Sequence, residues 1–461
     1  MNDMNKNRKK FTVAILGLGI TGASLINYFK KYENKIICWD DDIKKRNKFN
    51  DCTVLIHDLS DTNIWKQIDL LLVSPGISYL YPNIHPAIIN AFNYSVRIDN
   101  DVGLFFENSK VLKKNNTFIC VTGSNGKSTT VSLINHILSN LSLNSEVGGN
   151  IGRPISDLLM NKNESIKVIE LSSYQIEIAN FLSPDIAVLL NFSNDHLERH
   201  GGLGGYFSAK AKLFYNTFPK FSIIGVDQPE GRYLANVLEN NPNYNTRVIQ
   251  ISAKNFAQKS NWSVSLIDNY LIESKNGVEV FRSNLKNYIN LPGDHNLLNA
   301  CAAYITCKLI SDTPLNILKK MKSFKGLPHR SEFVKKINEV TFINDSKATN
   351  MISAFQSLRT YEKIRWIAGG QMKYGEKFNL QPYASKIKKI YLIGSSANEL
   401  SKNIKKNKFS ICFDLEKAVK KAFKEADPGD TVLLAPGCAS FDQFENFEER
   451  GIKFCELVNF L

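Results

Sequence analysis

The residues best suited to chemistry lie in one short run, Gly123-Ser124-Asn125-Gly126-Lys127-Ser128-Thr129. A glycine-flanked turn presents backbone N–H groups to an anion, a lysine brings a mobile cation to terminal phosphates, and a neighbouring hydroxyl reaches a divalent cation. Gly126, Lys127 and Ser128 have the types and spacing for these roles. A full phosphate loop carries a glycine five residues before Gly126, where this chain has Val121, so the loop is a shortened variant. The plainer alternative, an ordinary turn before a core helix, is opposed by what flanks it. The apolar run Phe118–Val121 predicts a buried strand, and Val131, Ile134, Ile137, Leu138 and Leu141 recur at helical spacing after the turn.

Two further strands are predicted at Lys167–Leu171 and Ile186–Leu190; Glu170 lies near the end of the first and His196 follows the second. Ligands of open α/β sheets sit beyond the carboxyl ends of the strands. Lys127, Ser128, Glu170 and His196 are therefore expected in one crevice, with Glu170 and His196 suited to a Mg²⁺ shell. Singly, His196 reads as a loop histidine and Glu170 as a capping carboxylate. The turn Gly148–Gly152, with Asn150, reads equally as a glycine-held loop or a binding turn. Gly201–Gly205 reads as a flexible loop before a helix over Tyr206–Phe214, in which Lys210 is by composition a surface lysine. Asn296 and Asn299, three residues apart on one helix face, would clamp a base edge or cap the helix.

Three α/β units must position these groups. Residues 1–106 read as Rossmann-like: strand Thr12–Leu16, the turn Gly17-x-Gly19-x-x-Gly22 into a helix, and strand Ile36–Trp39 ending at Asp40. Strand Leu70–Val73 then runs into Ser74-Pro75-Gly76-Ile77. Taken alone this pattern suggests a nicotinamide or flavin dehydrogenase, although the same geometry serves any nucleotide diphosphate. Residues 107–326 form the central unit, in which about 227–285 read as polar, strand-like and without legible chemistry. Pro328-His329-Arg330 marks a joint, and residues 327–461 form a third unit with strands Val340–Asn344, Ile364–Ala368, Ile390–Ile393 and Thr431–Leu434 ending in polar or glycine-rich turns.

At 461 residues and 43% hydrophobic content the chain holds several packed cores. The net charge of +14 is scattered as small lysine groups on helical faces, which favours an anionic substrate. No arginine-rich tract, zinc pattern or RNA-binding aromatic signature accompanies it, so nucleic acid is not expected. Eight cysteines without a Cys-x-x-Cys fit buried reduced thiols of a cytoplasmic protein. The basic start and apolar Phe11–Ser24 resemble a signal peptide, but glycines at turn spacing followed by an amphipathic helix fit a nucleotide-binding unit better, and no apolar run of membrane-spanning length appears.

Taken in order, GSNGKST, ELSSYQIE, NDHLERH, YFSAKAKLF, GDHNLLNA, GLPHRSE, NDSKATN and CASFDQFENFEERG resemble the Mur ligases of peptidoglycan synthesis, most nearly the branch that adds D-glutamate. Within that resemblance the shortened loop is expected and the dehydrogenase reading falls. The resemblance implies ATP, two Mg²⁺ ions and an acyl phosphate formed on UDP-N-acetylmuramoyl-L-alanine, which D-glutamate attacks. It assigns Lys127, Glu170, His196, Lys210 and Lys347 to catalysis, with Ser128 and Glu170 on one metal and His196 and a carbamylated Lys210 on the other. It puts Gly123–Thr129, Asn296, Asn299, Arg330 and Asp345 on ATP, and Ile20, Thr21, Asp40, Ser74 and Asn150 on the UDP substrate. Thr349, Lys373, Ser440 and Phe447 fall to D-glutamate, with Lys377 as the alternative to Lys373. A monomer with domain closure near Leu104 and Pro328 is expected. The rivals are a sister ligase, a folylpolyglutamate synthetase, an inactive paralogue and a phosphate-loop protein without ligase chemistry. The Asp-Asn-Pro-Arg-like acceptor signature of the diaminopimelate and lysine ligases is replaced here by Asp345-Ser-Lys-Ala-Thr-Asn350.

Overall fold

The computed structural model describes the chain apart from residues 1–11, 33, 50–53, 110–115, 159–163, 194–195, 216, 255–259, 286–294, 311–312, 373–378, 403 and 406–407. It divides into two compact units, residues 1–289 with 297–322, and residues 290–296 with 323–461.

The first unit holds two sheets. A five-stranded parallel sheet runs Val54–Ile56, Lys35–Trp39, Thr12–Leu16, Leu70–Val73, Arg97–Asp99. The signal-like stretch is thus its central strand: Val13 to Leu16 are fully buried because both faces of a parallel sheet are covered. A nine-stranded sheet runs Val278–Asn284, Tyr270–Lys275, Trp262–Ile267, Arg247–Ser252, Phe221–Gly225, Ile186–Leu189, Thr117–Thr122, Ile166–Glu170, Ser145–Gly149. It is parallel except for the last two pairings at the Val278–Asn284 edge, which are antiparallel.

Helix Asp101–Ser109 spans residue 106, and its Val102, Phe105 and Phe106 pack with Phe118 in the core of the nine-stranded sheet. That burial ties the two sheets of the unit together, since a helix with one apolar stripe must bury it somewhere. Two expectations are corrected. Helix Pro229–Asn240 interrupts the stretch read as strand-like, with proline in its first turn and Leu234, Ala235 and Leu238 buried. The later part of the stretch does hold strands, Arg247–Ser252, Trp262–Ile267, Tyr270–Lys275 and Val278–Asn284. Gly204 and Gly205, expected in a flexible loop, lie inside helix Leu203–Tyr215; a side chain at Gly205 would overlap the His200 carbonyl, so close packing rather than flexibility requires glycine there.

The second unit is one six-stranded sheet, Glu332–Ile337, Val340–Asn344, Thr431–Leu434, Ile364–Gly369, Ile387–Ile393, Phe409–Phe413. Only the Glu332–Ile337 edge is antiparallel. Helices cover both faces, which split its interior into two clusters around Trp366 and Phe342. None of the seven described cysteines is in a disulfide, and six of them are buried. Among the described residues no helix is long and apolar enough to cross a membrane.

Candidate active site

Strand Thr117–Thr122 lies between Ile166–Glu170 and Ile186–Leu189 in the nine-stranded sheet. Their carboxyl ends therefore deliver the glycine loop, Glu170 and the Asn191–His196 loop side by side, at a point where strand order reverses. Gly126 caps helix Lys127–Asn140 with φ +85°, a left-handed backbone that glycine adopts without strain. A side chain at Gly126 would also overlap the Asn299 amide oxygen. Asn299, expected to clamp a base edge or cap its helix, sets its amide against the glycine loop.

The loop is pre-formed. Asn125 N donates to Asn191 Oδ1 at 2.9 Å, Asn191 Nδ2 donates back to Asn125 O at 3.0 Å, and Ser193 N donates to Ser124 Oγ at 3.0 Å. Ser124 Oγ is also 3.0 Å from the Tyr206 hydroxyl. Lys127 Nζ donates to the Gly123 and Ser124 carbonyls at 2.8 and 2.9 Å, folded over the cradle it would share with a phosphate. Ser128 is buried in the first helical turn, and Thr129 is half-buried beside it.

Glu170 is 1% exposed. Its Oε1 accepts from Asn150 Nδ2 at 2.8 Å, while Oε2 is buried without a hydrogen-bond partner. A buried carboxylate oxygen left unpaired is costly, and a hard cation is the partner that would satisfy it. Among the described residues no three His, Cys, Asp or Glu side chains gather, so a cation here would rest largely on phosphate, hydroxyl and water oxygens.

Lys210, read by composition as a surface residue, is 1% exposed; Nζ donates to Gly123 O at 3.0 Å and lies 4.6 Å from the Tyr206 ring centroid. The helical period turns it inward. His196 is exposed, in the left-handed region at φ +52°, with its ring 5.1 Å from Tyr174.

In the five-stranded sheet Asp40 is only 5% exposed and organises the glycine turn: Oδ2 accepts from Leu18 N at 2.7 Å and Lys45 Nζ at 3.3 Å, and Oδ1 from Asp42 N at 3.0 Å. Burial pushes its acidity down, but these donors outweigh it and hold the carboxyl below its ordinary range. Ser74 Oγ donates to Gly17 O at 2.8 Å, bracing the same turn from the neighbouring strand. Thr21 is half-buried and Ile20, at the helix start, is 79% exposed, an apolar surface beside the glycine turn.

The second unit gathers its own set. Asp345 is buried; Oδ1 accepts from Ser331 N at 3.1 Å and Oδ2 from the Ser357 hydroxyl, and burial raises its pKa despite these bonds and nearby Arg330. Lys347 Nζ sits 3.6 Å from the Phe447 ring centroid, a cation–π contact. Thr349 and Ser440 flank the turns that follow Asn344 and Leu434, which Gly437 N joins by donating to Ala348 O at 2.8 Å. Lys373 and Lys377 lie outside the described residues. Sequence reasoning missed Arg450, which is 1% exposed and bonds Ser346 Oγ at 3.0 Å, Ser346 O at 2.9 Å and Cys438 O at 3.2 Å. Burial lowers its pKa to about 10. Its position inside FENFEERG, one helical turn past Phe447, was the available signal.

Three family profiles match the chain: the Mur ligase MurD-like N-terminal domain at residues 11–95, the Mur ligase middle domain at 121–307 and the Mur ligase glutamate ligase domain at 329–438. The chain is 44% identical over 455 residues to UDP-N-acetylmuramoylalanine--D-glutamate ligase of Cereibacter sphaeroides, covering 97% of each. It is 41% identical over 456 residues to the enzyme of that name from Dinoroseobacter shibae, covering 98% of each. Its fold is similar to UDP-N-acetylmuramate-alanine ligase of Thermotoga maritima (TM-score 0.59, 18% identity, 97% and 99% covered). It is also similar to the MurF ligase of that organism in complex with ADP (TM-score 0.57, 17% identity, 99% and 97% covered). At such identities these two establish the fold.

Proposed function

The chain belongs to the Mur ligase family and is a D-glutamate-adding, ATP-dependent ligase of peptidoglycan precursor synthesis; from that premise we propose which residues carry each part of the reaction. Residues 1–106 take the UDP portion of UDP-N-acetylmuramoyl-L-alanine, 107–326 take ATP, and 327–461 take D-glutamate. Ile20, Thr21 and Ser74 line the first site, with Asp40 holding its glycine turn, and Asn150 reaches the same substrate from the central unit.

The reaction brings several anions together, so the site must supply positive charge in fixed positions. Lys127 and the loop N–H groups hold the terminal phosphates, and Lys127 leaves its two carbonyl contacts to do so. Asn296, Asn299, Arg330 and Asp345 serve the nucleotide. Ser128 and Glu170 would hold one Mg²⁺, and His196 with a carbamylated Lys210 a second; the ions would offset phosphate charge during transfer to the L-alanyl carboxylate. A lysine amine turned toward Gly123 O, away from solvent, gains oxygen ligands on carbamylation that an ammonium lacks. Lys347, Thr349, Lys373, Ser440 and Phe447 hold D-glutamate and the phosphate leaving the acyl group as the amine attacks. We place this activity in the cytoplasm and in a monomer.

The observation that carries the reading is the unpaired Glu170 Oε2 beside a pre-formed phosphate loop and a buried lysine. Phosphate release from ATP with UDP-N-acetylmuramoyl-L-alanine tests it across D-glutamate, L-glutamate, L-lysine and diaminopimelate. Release dependent on D-glutamate is expected; dependence on another acceptor reassigns the enzyme within the family.

A further inference from the structure

Segment His196–Gly201 is held at both ends. Its Arg199 is 9% exposed and donates from Nη2 to the Ile77 carbonyl and from Nη1 to the Tyr81 carbonyl at 3.4 Å, both in the segment that follows strand Leu70–Val73 of the five-stranded sheet. The same guanidinium lies 4.9 Å from the Tyr174 ring centroid and 3.8 Å from Glu177 Oε2. His200 stacks on Tyr174 at 5.3 Å and bonds Ser173 Oγ at 2.9 Å and Glu177 Oε1 at 3.3 Å. Gly201, at φ +66°, lets the Tyr81 ring approach so closely that a Cβ would stand 2.7 Å from it. The His196 ring also lies 5.1 Å from the Tyr174 ring, tilted 52° to it.

One tract of contacts therefore runs from the glycine turn, through Ser74 Oγ on Gly17 O, along 74–81 to Arg199, and through the Tyr174 ring to His196. A guanidinium suits this junction because its planar fork serves two carbonyls and stacks on an aromatic face at once, which an ammonium cannot do. Neither Ile77 O nor Tyr81 O carries charge, so the contact specifies position rather than adding an ion pair.

We propose that Arg199 is a positioning residue that couples the UDP-substrate site to the nucleotide site. Filling the Gly17–Gly22 turn fixes segment 74–81; through Arg199 that fixes Tyr174 and the His196 loop, and the nucleotide site then binds with less ordering left to do. The inference rests on the site assignments under Proposed function.

Calorimetry on the whole protein tests it without turnover. Affinity for UDP-N-acetylmuramoyl-L-alanine is measured with and without a non-hydrolysable ATP analogue and Mg²⁺, for the wild type, Arg199→Lys and Arg199→Met. The wild type is expected to show positive coupling of about 5- to 20-fold, within the usual range for linked sites. Both variants should bring the ratio within about twofold of unity, with Arg199→Lys keeping the wild-type melting temperature more closely because it keeps the charge beside Glu177. If Arg199→Met does not fold, Arg199→Lys decides. Wild-type coupling that survives in Arg199→Lys, or a wild type that binds both ligands independently, overturns the inference. A wild type that binds neither ligand overturns the site assignments as well.

Discussion

Lys210 shows at the residue scale how far burial alters chemistry. The side chain is shut from solvent on a helix that also buries Tyr206, Ala209, Ala211, Leu213 and Phe214, so the carbamylation proposed above would change a donor into an acceptor beside the glycine loop. Lys210→Ala is expected to lower kcat at least about 100-fold, as for removal of a group that stabilises transition-state charge. Short-chain carboxylic acids should restore part of that rate by filling the gap, and an unimpaired variant would refute the role. Asp101 gives a separate prediction. It is buried, no side chain hydrogen-bonds its carboxyl oxygens, and desolvation, aided by nearby Asp99, raises its pKa to about 7 against the opposing pull of the backbone N–H groups of Val102 and Asp101. A carboxyl whose folded pKa exceeds its unfolded value weakens the fold as pH rises between the two, because the native state binds the extra proton. Asp101→Asn should therefore raise the melting temperature more at pH 8 than at pH 5, and an equal shift at both would count against this account.

At the element scale, Glu273 fastens the antiparallel edge of the nine-stranded sheet to helix His295–Lys308. It is fully buried, with Trp262 Nε1 at 3.0 Å, the Tyr304 hydroxyl at 2.8 Å and Lys308 Nζ at 2.5 Å. Phe281 stacks on Tyr304 across the same junction. Deleting one member of a buried ion pair strands the other, so Glu273→Ala should cost about 3–5 kcal/mol in urea unfolding. Helix His295–Lys308 also carries Asn299 against Gly126, so nucleotide affinity should weaken alongside stability. Gly126→Ala acts on the loop directly: its left-handed backbone and the overlap with Asn299 both oppose a methyl group. Calorimetry should find ATP-analogue binding weakened at least about tenfold, with the fold retained, since one strained turn costs little beside a whole core.

At the scale of the whole molecule the three expected α/β units distribute over two compact bodies, the first containing two sheets. The sheets of that body are joined by the shared core around Phe106 and Phe118 and by Asn100 Nδ2 donating to Gln175 O at 2.8 Å. The family resemblance leads us to expect closure on ligands, since the reaction must exclude water. Small-angle scattering with ATP analogue, UDP-N-acetylmuramoyl-L-alanine and D-glutamate is expected to show a smaller radius of gyration than the free protein. An unchanged radius would argue against closure.

Much of this was legible in the chain itself. The parallel strands are short, near-continuous apolar runs that end in glycine or polar turns, so Thr12–Leu16, Leu70–Val73, Val340–Asn344 and Thr431–Leu434 were located to the residue. The glycine turn between strand Thr117–Thr122 and helix Lys127–Asn140 was legible because a turn depends on neighbours in sequence. Helix Pro229–Asn240 was not, because its apolar stripe is narrow and its remaining faces polar. Only tertiary structure turned Lys210 inward, gave Glu170 Oε2 no partner, spent Asp40 on the glycine turn and buried Arg450 beneath Ser346 and Cys438. Local sequence encodes which groups a segment carries and where its backbone must turn; whether a group meets solvent, a partner or nothing depends on residues distant along the chain, and that is decided when the sheets pack.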